Sequence, residues 1–192
     1  MDYYKVAPTL VGEKVLLRSI DLEKDKVPFH QMFLEPILHE WTGNRVPDNE
    51  QESYEQLKAY RDLDFLISWV ITDKQTEAFI GTFWIGPSNE NGKQIAGDAQ
   101  RIAKQFWRKG YTKEARQLIY DFAFNELGIE EFHSTAWGNN ENSCQSMESV
   151  GYRLAKVEEK FFAKKNNYFT EHYYVLTKEA WQKYKGNKVG IR

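Results

Sequence analysis

Residues 104–115, KQFWRKGYTKEA, place two adjacent cations beside a glycine at the start of a helical pattern. Arg108 and Lys109 add positive charge, and Gly110 allows the backbone to approach a ligand closely. The first N–H groups of the helix that follows, together with its dipole, favour an anion such as phosphate. The segment has neither the Walker loop pattern nor the GxGxxG pattern of nucleotide-binding loops. By itself it predicts either an anion-binding loop or an ordinary solvated basic turn.

A second group of polar residues lies in NNENSCQSMESVGY, at the start of a short predicted helix. Asn140 and Ser143 are three positions apart, so their side chains can point in the same direction. Cys144 follows directly, and no base is paired with it in the sequence. We therefore expect Cys144 to be a small, partly buried core thiol rather than an acyl carrier.

Asp98 is the acid–base candidate on the predicted strand that precedes the basic loop. Its carboxylate could accept a proton from a substrate, and an exposed carboxylate at a strand edge is an equally good interpretation. His30 and His39 lie in a helical region, and we expect both to be structural or surface histidines rather than bases.

The composition argues against several classes of protein. The chain carries 26 lysines and arginines against 28 acidic residues, a balance unlike that of a dedicated nucleic-acid-binding protein. A single cysteine rules out an internal disulfide and a cysteine-rich zinc cluster, and it fits a reducing, cytoplasmic compartment. The sequence shows no signal-like apolar run and no segment long enough to span a bilayer. We expect a cytoplasmic protein with neither nucleic acid nor membrane as a partner.

Two hydrophobic periodicities divide the chain into strands and helices. Apolar and β-branched runs predict strands at residues 12–21, 65–73, 78–86, 94–103, 129–137, 152–162 and 168–177. Helical patterns lie within residues 22–41, 47–64, 112–128, 141–151 and 178–192, the first broken near Pro36. Gly97, inside a strand, suggests a bulge or a close backbone approach. This order predicts an α+β (α/β) fold, with one domain over residues 1–192, a mixed sheet and one major βαβ crossover.

The whole layout resembles the GNAT superfamily of acetyl-CoA-dependent N-acetyltransferases, and especially its RimJ/RimL-type subgroup of ribosomal-protein N-terminal acetyltransferases. The stretches that carry the resemblance are VGEKVLLRSI, AFIGTFWIG, QFWRKGYTKEARQLIYDFAFNELGIEEF, NNENSCQSMESVGYRL and EHYYVLTKEAW. They match, in order, the first strand, the third strand, the pyrophosphate loop with its helix, the Asn-x-x-Ser helix and the closing strand. The resemblance implies a GNAT-like, mostly antiparallel twisted sheet flanked by helices.

The resemblance also implies an activity. An amine would attack the thioester of acetyl-CoA directly in a ternary complex, with acetyl-CoA as cosubstrate and without a metal. The acceptor would be a protein α-amino group, a small amine, an amino sugar or an antibiotic, and a homodimer is a possible assembly. The other interpretation is a GNAT-fold module that binds CoA or regulates another process with little or no turnover.

The resemblance assigns binding roles to particular residues of this chain. The pyrophosphate loop would comprise Gln105, Arg108, Lys109, Gly110, Tyr111 and Thr112. The main chain of Ile102 and Ala103 would pair with the pantetheine arm, and Asn140 would hydrogen-bond to the same arm. Ser143 would contact the cofactor near its thiol.

Catalytic roles follow from the same resemblance. Many relatives place a tyrosine acid where this chain has Met147, so Ser143 becomes the candidate that protonates the leaving thiolate. Asp98 is the candidate base for the amine, and backbone N–H groups near residues 101–103 would stabilise the developing oxyanion.

Two positions depart from the family pattern. The loop pattern is Gln/Arg-x-x-Gly-x-Gly/Ala, and Arg108 replaces its first glycine. The glutamate that often precedes the loop aligns near Gly97, whereas the nearest carboxylate is Asp98, one step along. On a strand, a shift of one residue reverses the face of a side chain unless a bulge intervenes. Both departures bear on whether the chain has full activity.

Overall fold

The computed structural model describes residues 2–43 and 46–189. The helices are α1 (Leu22–Phe33), α2 (Glu50–Asp62), α3 (Tyr111–Glu126), α4 (Glu141–Glu148) and α5 (Lys178–Val189). The strands are β1 (Leu10–Val11), β2 (Val15–Arg18), β3 (Ile67–Asp73), β4 (Phe79–Glu90), β5 (Lys93–Ile102), β6 (Glu131–Trp137), β7 (Arg153–Phe162) and β8 (Asn167–Thr177). The end of the predicted last helix, residues 190–192, lies outside the described residues.

The strands form a sheet in the order β1-β2-β3-β4-β5-β6-β8-β7. Strands β5 and β6 run parallel, and α3 connects them, which confirms the predicted βαβ crossover. The pairs β1–β2, β2–β3, β3–β4, β6–β8 and β7–β8 are antiparallel. The predicted fold class, a mixed and mostly antiparallel sheet flanked by helices, is therefore confirmed. That residues 1–192 form one domain stays a prediction.

The chain contacts divide the described residues into two compact units, and each is described by itself. The first unit holds residues 2–87 and 98–127. Its core forms where the apolar face of α3 packs on β3 and β4. The rings of Trp69 and Phe122 meet edge to face at 6.1 Å, and those of Phe83 and Tyr120 at 6.4 Å. The helical spacing of apolar residues in α3 therefore serves to bury one side of the helix.

Glycine determines how closely β4 approaches β5 in the first unit. A Cβ atom built at Gly81 would lie 2.0 Å from the carbonyl oxygen of Arg101, so no larger residue fits there. A Cβ at Gly97 would lie 3.7 Å from the His133 carbonyl oxygen, which is an ordinary contact. The close backbone approach suggested for Gly97 is therefore wrong, and that role belongs to Gly81.

The helical region of residues 22–62 is divided as predicted near Pro36. Helix α1 begins at the cap Asp21 and is followed by a separate 3-10 helix, Pro36–His39. The Asn49 side chain caps α2 by accepting a hydrogen bond from the Glu52 N–H at 2.9 Å. Asn49 is therefore the N-cap at which α2 begins.

The second unit holds residues 88–97 and 128–189. Its core is made by buried aromatic and aliphatic residues of β6, β8 and α5: Phe132, Tyr174, Leu176 and Trp181. Gly151 ends the turn after α4 with φ near 101°, a conformation that favours glycine. Across the described residues of both units, no helix is long and apolar enough to cross a membrane.

Candidate functional site

The basic loop begins with a tight turn at the end of β5. Residues Lys104–Phe106 form a single 3-10 turn, and the Trp107 indole Nε1 donates back to the Ile102 carbonyl at 2.7 Å. The Phe106 N–H donates to the Ala103 carbonyl at 2.9 Å, and the Ala103 N–H donates to the Ile80 carbonyl at 2.9 Å. The loop is thus tied to the strand before it, and Gln105 lies exposed on the turn.

These bonds restrict the roles predicted for the strand end. Because the Ala103 N–H is occupied by Ile80, it is not available to an oxyanion, and the prediction for that N–H group is wrong. The carbonyl oxygens of Ile102 and Ala103 each accept one protein hydrogen bond and keep a second lone pair. They can therefore still accept a hydrogen bond from a bound ligand.

Arg108 adopts the backbone conformation that explains the glycine of the family pattern. Its φ is near 60°, in the left-handed region, and Gly110 follows with φ near 86°. This conformation costs an ordinary L-residue roughly 1–2 kcal/mol and costs glycine nothing. Arg108 therefore keeps the local chain path that a glycine would take, at the expense of some backbone strain.

A row of six main-chain N–H groups runs from Arg108 to Lys113 at the start of α3. None of the six has a hydrogen-bond partner within the part of the chain that the structure describes. Gly110 is the N-cap of α3 and has no side chain to bond them. Consecutive N–H groups with alternating left-handed conformations form an anion-binding concavity, and the dipole of α3 adds to it.

Cations surround this row of N–H groups. Arg108 and Lys109 are exposed, and neither has an ion-pair partner among residues 2–43 and 46–189. The Lys109 ammonium lies 5.8 Å from the centre of the Phe106 ring. A Cβ built at Gly110 would lie 3.9 Å from the Lys14 Nζ atom, so a third cation stands beside the loop. The charges favour a polyanion.

Lys14 is a residue that the sequence analysis missed. It follows the turn between β1 and β2, and its N–H donates to the Glu114 Oε1 atom at 3.0 Å. The Glu13 N–H donates to the same oxygen. Glu114 lies in the first turn of α3, so it holds the lysine-bearing turn against the start of that helix. No local pattern joins residues 100 positions apart, and only the tertiary structure shows this contact.

Tyr111 positions the loop through its side chain. Its phenol donates to the Asp73 Oδ2 atom at 2.7 Å, and its ring meets Phe106 edge to face at 5.7 Å. Hydrogen bonds from Tyr111 and from the Thr76 N–H lower the pKa of Asp73 to about 2. Because the Tyr111 hydroxyl is bonded to Asp73, the group of Tyr111 that can still bind the predicted cofactor is its main-chain N–H. Thr112, half-buried, follows it in α3.

The Tyr111–Asp73 hydrogen bond leads to a testable prediction about stability at low pH. Tyr111→Phe should return the pKa of Asp73 towards its usual value, because the largest stabiliser of the carboxylate is removed. A depressed carboxyl pKa stabilises the fold above about pH 4, and that contribution is lost as the pH falls towards 2. As the pH falls from about 4 towards 2, the free energy of unfolding of the variant should therefore decrease less than that of the wild type. Urea unfolding at a series of pH values measures both. Identical pH profiles would contradict the assignment.

Asp98 is half-buried and bonded to α3. The phenol of Tyr120 donates to its Oδ2 atom at 2.6 Å, and Tyr120 is fully buried between Phe83 and Phe124. Asp98 is therefore not the exposed strand-edge carboxylate of the alternative interpretation. The sequence indicated Tyr120 only as part of a helix. Its hydroxyl reaches Asp98 because β5 packs against α3, and the sequence pattern does not record that contact.

Asn140 and Ser143 lie at the start of α4 in the second unit. The Asn140 Oδ1 atom accepts a hydrogen bond from the Ser143 N–H at 3.3 Å and so caps the helix. The Ser143 side chain is half-buried, and its hydroxyl has no hydrogen-bond partner among the described residues. Met147, one turn on, is buried. The amide group of Asn140 and the hydroxyl of Ser143 are therefore two polar groups that the start of α4 offers to a ligand.

Cys144 is buried, as predicted, but the expectation that no base accompanies it is wrong. Its Sγ atom lies 3.7 Å from the Trp137 carbonyl oxygen and 4.0 Å from the His172 Nδ1 atom. The His172 Nε2 atom lies 3.3 Å from the Thr170 hydroxyl. His172 comes from β8, 28 residues away, which is why the sequence did not reveal the pair. Because the thiol is buried and faces a carbonyl, we regard it as structural.

The histidines of the helical region are structural, as expected. His30 Nδ1 lies 3.0 Å from the Ser53 hydroxyl, and His39 Nε2 lies 2.7 Å from the Phe33 carbonyl oxygen. His39 is buried. Both rings therefore hold α1, α2 and the 3-10 helix together.

The predicted site residues thus fall into two local groups. The first unit brings together Asp98, the end of β5 and the loop with its free N–H groups, and the second unit holds Asn140 and Ser143. The binding and catalytic roles assigned to both groups stay predictions.

Comparison with known proteins gives consistent results. A family model described as an acetyltransferase (GNAT) domain matches residues 14–153. The uncharacterized N-acetyltransferase p20 of Bacillus licheniformis is 23% identical over 149 residues, 76% of this chain and 82% of its own length. A GCN5-related N-acetyltransferase from Brucella melitensis has a similar structure, with a TM-score of 0.80 at 15% identity, over 93% of this chain and 84% of that one. Mycobacterium smegmatis RimJ, solved in complex with CoA-disulfide, also has a similar structure. Its TM-score is 0.73 at 18% identity, over 91% of this chain and 87% of that one.

Proposed function

Because the chain belongs to the GNAT acetyltransferase family, we propose that it transfers the acetyl group of acetyl-CoA to a primary amine. The reaction is direct attack of the amine in a ternary complex. The observation that carries the proposal is the row of unpartnered N–H groups from Arg108 to Lys113, flanked by Lys14, Arg108 and Lys109. The matched region contains this loop together with Asp98, Asn140 and Ser143.

The residues present fit acetyl-CoA. Two adjacent phosphates need several donors and positive charge, and the loop offers six N–H groups and nearby cations. We propose that residues 105 and 108–112 hold the pyrophosphate. The carbonyls of Ile102 and Ala103 and the amide group of Asn140 hold the pantetheine arm. When bound, acetyl-CoA supplies an acetyl group activated as a thioester.

Two side chains of the protein move protons in the proposed reaction. An α-amino group titrates near ~8 and a lysine-type amine near ~10, so the acceptor must lose a proton before it attacks. Asp98, oriented by Tyr120, takes that proton. The Ser143 hydroxyl, which has no partner in the described part of the chain, donates a hydrogen bond where negative charge develops on sulfur.

The acceptor is a protein N-terminus or a small amine. Support for a protein N-terminus comes from the RimJ/RimL-type sequence pattern and from the similarity in fold to RimJ. The alternative of a CoA-binding module without turnover depended on two departures, Arg108 in place of a glycine and the carboxylate shifted from the place of Gly97 to Asp98. Arg108 keeps a left-handed backbone, as a glycine would, and its side chain is exposed, so the path of the loop gives the alternative no support. The second departure is left to the turnover measurement.

A single pair of measurements tests the proposal. Calorimetry with acetyl-CoA should show binding, and a thiol-release assay should show turnover with at least one member of an amine panel. The panel should hold peptides with free N-termini, a diamine, an amino sugar and an aminoglycoside. Binding without thiol release would favour the module that only binds CoA. An absence of binding would contradict the cofactor assignment as well.

Arg108 provides a sharper test of the loop. Arg108→Gly should keep or slightly raise stability, since backbone strain is relieved, yet weaken CoA binding about tenfold through loss of a charge-assisted contact. Arg108→Glu should weaken it further. Lys183→Glu, an equal charge change at an exposed position of α5, serves as the control. Equal affinity in all four proteins would show that the Arg108 side chain does not bind the cofactor.

A further inference from the structure

Arg101 is a half-buried cation near the end of β5, and it has no carboxylate partner within residues 2–43 and 46–189. Its Nη1 atom donates to the Leu38 carbonyl oxygen at 3.2 Å, and its guanidinium lies 5.0 Å from the centre of the Phe33 ring. The Tyr60 phenol also interacts with the guanidinium. A carbonyl, a ring face and a neutral phenol fix its position, but none of them supplies a negative charge.

Arg18, which is half-buried in the same unit, shows what a paired arginine looks like in this fold. Its guanidinium makes two hydrogen bonds to the Asp25 carboxylate, at 2.8 and 2.6 Å, and they raise the pKa of Arg18. Burial lowers the pKa of Arg101 instead, although the Tyr60 phenol lies nearby. A desolvated cation is costly unless an anion pairs with it. Arg101 therefore lacks the kind of partner that Arg18 has.

A second polar group on the helices around Arg101 is also unsatisfied. The Oε1 atom of Gln56, in α2, is buried and has no hydrogen-bond partner in the part of the chain that the structure describes. Gln56 lies one turn before Tyr60, so the two side chains share a face of the helix. A buried amide oxygen without a partner indicates a missing N–H or O–H donor. On β5, Ala99 shares the face of Arg101 and adds no bulk beside it.

We propose that Arg101 binds a carboxylate of the acceptor, so that the protein acetylates amines that also carry an acidic group. The inference rests on the proposed acetyl transfer and does not depend on which group is the base. The phosphates of CoA are assigned to the loop of residues 108–113, and the next residue, Ile102, is assigned to the arm that ends at the thioester. An anion at Arg101 therefore belongs to the second substrate. Leu38 and Tyr60 occupy only part of the guanidinium fork, which can bind a carboxylate through two parallel hydrogen bonds.

The two unsatisfied groups together indicate the class of acceptor. Arg101 needs a negative charge, and the buried oxygen of Gln56 needs an N–H donor. A peptide with a free N-terminus and an acidic residue close behind it offers an amine to acetylate, a carboxylate for Arg101 and a main-chain N–H for Gln56. Amino sugars and aminoglycosides lack the carboxylate, and their additional positive charges are repelled by Arg101. The acidic peptide is therefore the acceptor that the site favours.

Matched peptides test the acceptor in the thiol-release assay. The members of each pair have a free N-terminus and a blocked C-terminus, and they differ only by an aspartate or an asparagine at the second, third or fourth position. In at least one pair, the wild type should use the acidic member with a kcat/KM about tenfold or more above that of the amide member. Arg101→Met should lose this preference, through the acidic peptide alone, and Arg101→Lys should keep part of it. Lys183→Met, which removes an exposed charge of α5, should leave it unchanged.

Stability separates a ligand-binding role of Arg101 from a structural one. Arg101→Met should keep a urea midpoint close to that of the wild type, because the lost Leu38 contact is offset by the removal of an unpaired, partly buried charge. Arg18→Met should unfold at a clearly lower urea concentration, because it leaves Asp25 buried without its partner. An Arg101→Met variant that is destabilised like Arg18→Met and that slows both members of each peptide pair alike would overturn the proposal.

The acceptor assignment and the acetyl transfer fail in different ways. Turnover of acidic and neutral peptides at equal rates would leave the acetyl transfer intact and would overturn the role of Arg101. If no peptide is turned over, the acetyl transfer fails, and calorimetry with each peptide in the presence of CoA still tests the carboxylate site. Tighter binding of an acidic peptide that Arg101→Met abolishes would then support the site, and equal affinity within every pair would overturn it.

Discussion

Replacement of Ser143 by alanine should lower kcat by about a hundredfold or more and leave the KM for acetyl-CoA within a few-fold of the wild type. The hydroxyl has no partner in the described part of the chain, so its removal breaks no bond of the fold. The cap of α4 is also preserved, since Asn140 bonds to the Ser143 N–H and not to its hydroxyl. An effect on turnover would therefore report on the reaction itself.

The measurement is steady-state kinetics by thiol release with the best acceptor of the panel. Ser146→Ala, one turn further along α4, is a matched control and should have near wild-type kinetics. Ser143→Cys keeps a weaker donor at the same place and should recover part of the lost rate. If Ser143→Ala turns over normally, another donor protonates the leaving group and Ser143 has no part in the mechanism.

Asp98→Asn should lower kcat/KM by about 10²–10⁴ at neutral pH, because an amide cannot accept the proton of the incoming amine. The loss should shrink as the pH rises, since more of the acceptor is then already deprotonated. Stability should fall only modestly, because the Tyr120 phenol can still donate to the amide oxygen. Activity against pH for both proteins, with one acceptor amine, is the measurement. Equal activity would place the base elsewhere.

Tyr120→Phe separates positioning from proton transfer at the same place. It removes only the hydroxyl that holds the Asp98 carboxylate, so kcat should fall while the KM for acetyl-CoA changes little. Tyr174→Phe is the matched control, since the buried Tyr174 makes the same kind of bond to Glu148 at 2.9 Å. Both variants should lose similar stability, about 1 kcal/mol. A fall in kcat for both alike would show that Tyr120 is merely structural.

Much of the fold could be read from local patterns. The apolar spacing of α3, the strand runs on either side of Lys74 to Glu77 and the break near Pro36 all reappear as predicted elements. These features depend on the period of a helix or strand and on the backbone preferences of proline and glycine. Such properties act over a few residues and need no partner.

The candidate site was predictable only where its parts are continuous in the chain. The loop of residues 104–112 and the pair Asn140 and Ser143 follow from short motifs at helix starts. The unusual Arg108 was recognised as a departure, but its left-handed backbone required coordinates. The prediction for the Ala103 N–H failed, because that group is already paired with Ile80 across the sheet.

By itself, the sequence determined the family, the order of elements and the positions of the basic loop, residues 104–112, and of the Asn-x-x-Ser helix. The tertiary structure decided which side chains serve them: Lys14 beside Gly110, Asp73 beneath Tyr111, and Tyr120 on Asp98. These partners are 96, 38 and 22 positions apart. A periodic pattern indicates which face of an element is buried. Which polar groups then meet depends on the register and packing of distant segments, and no local pattern records it.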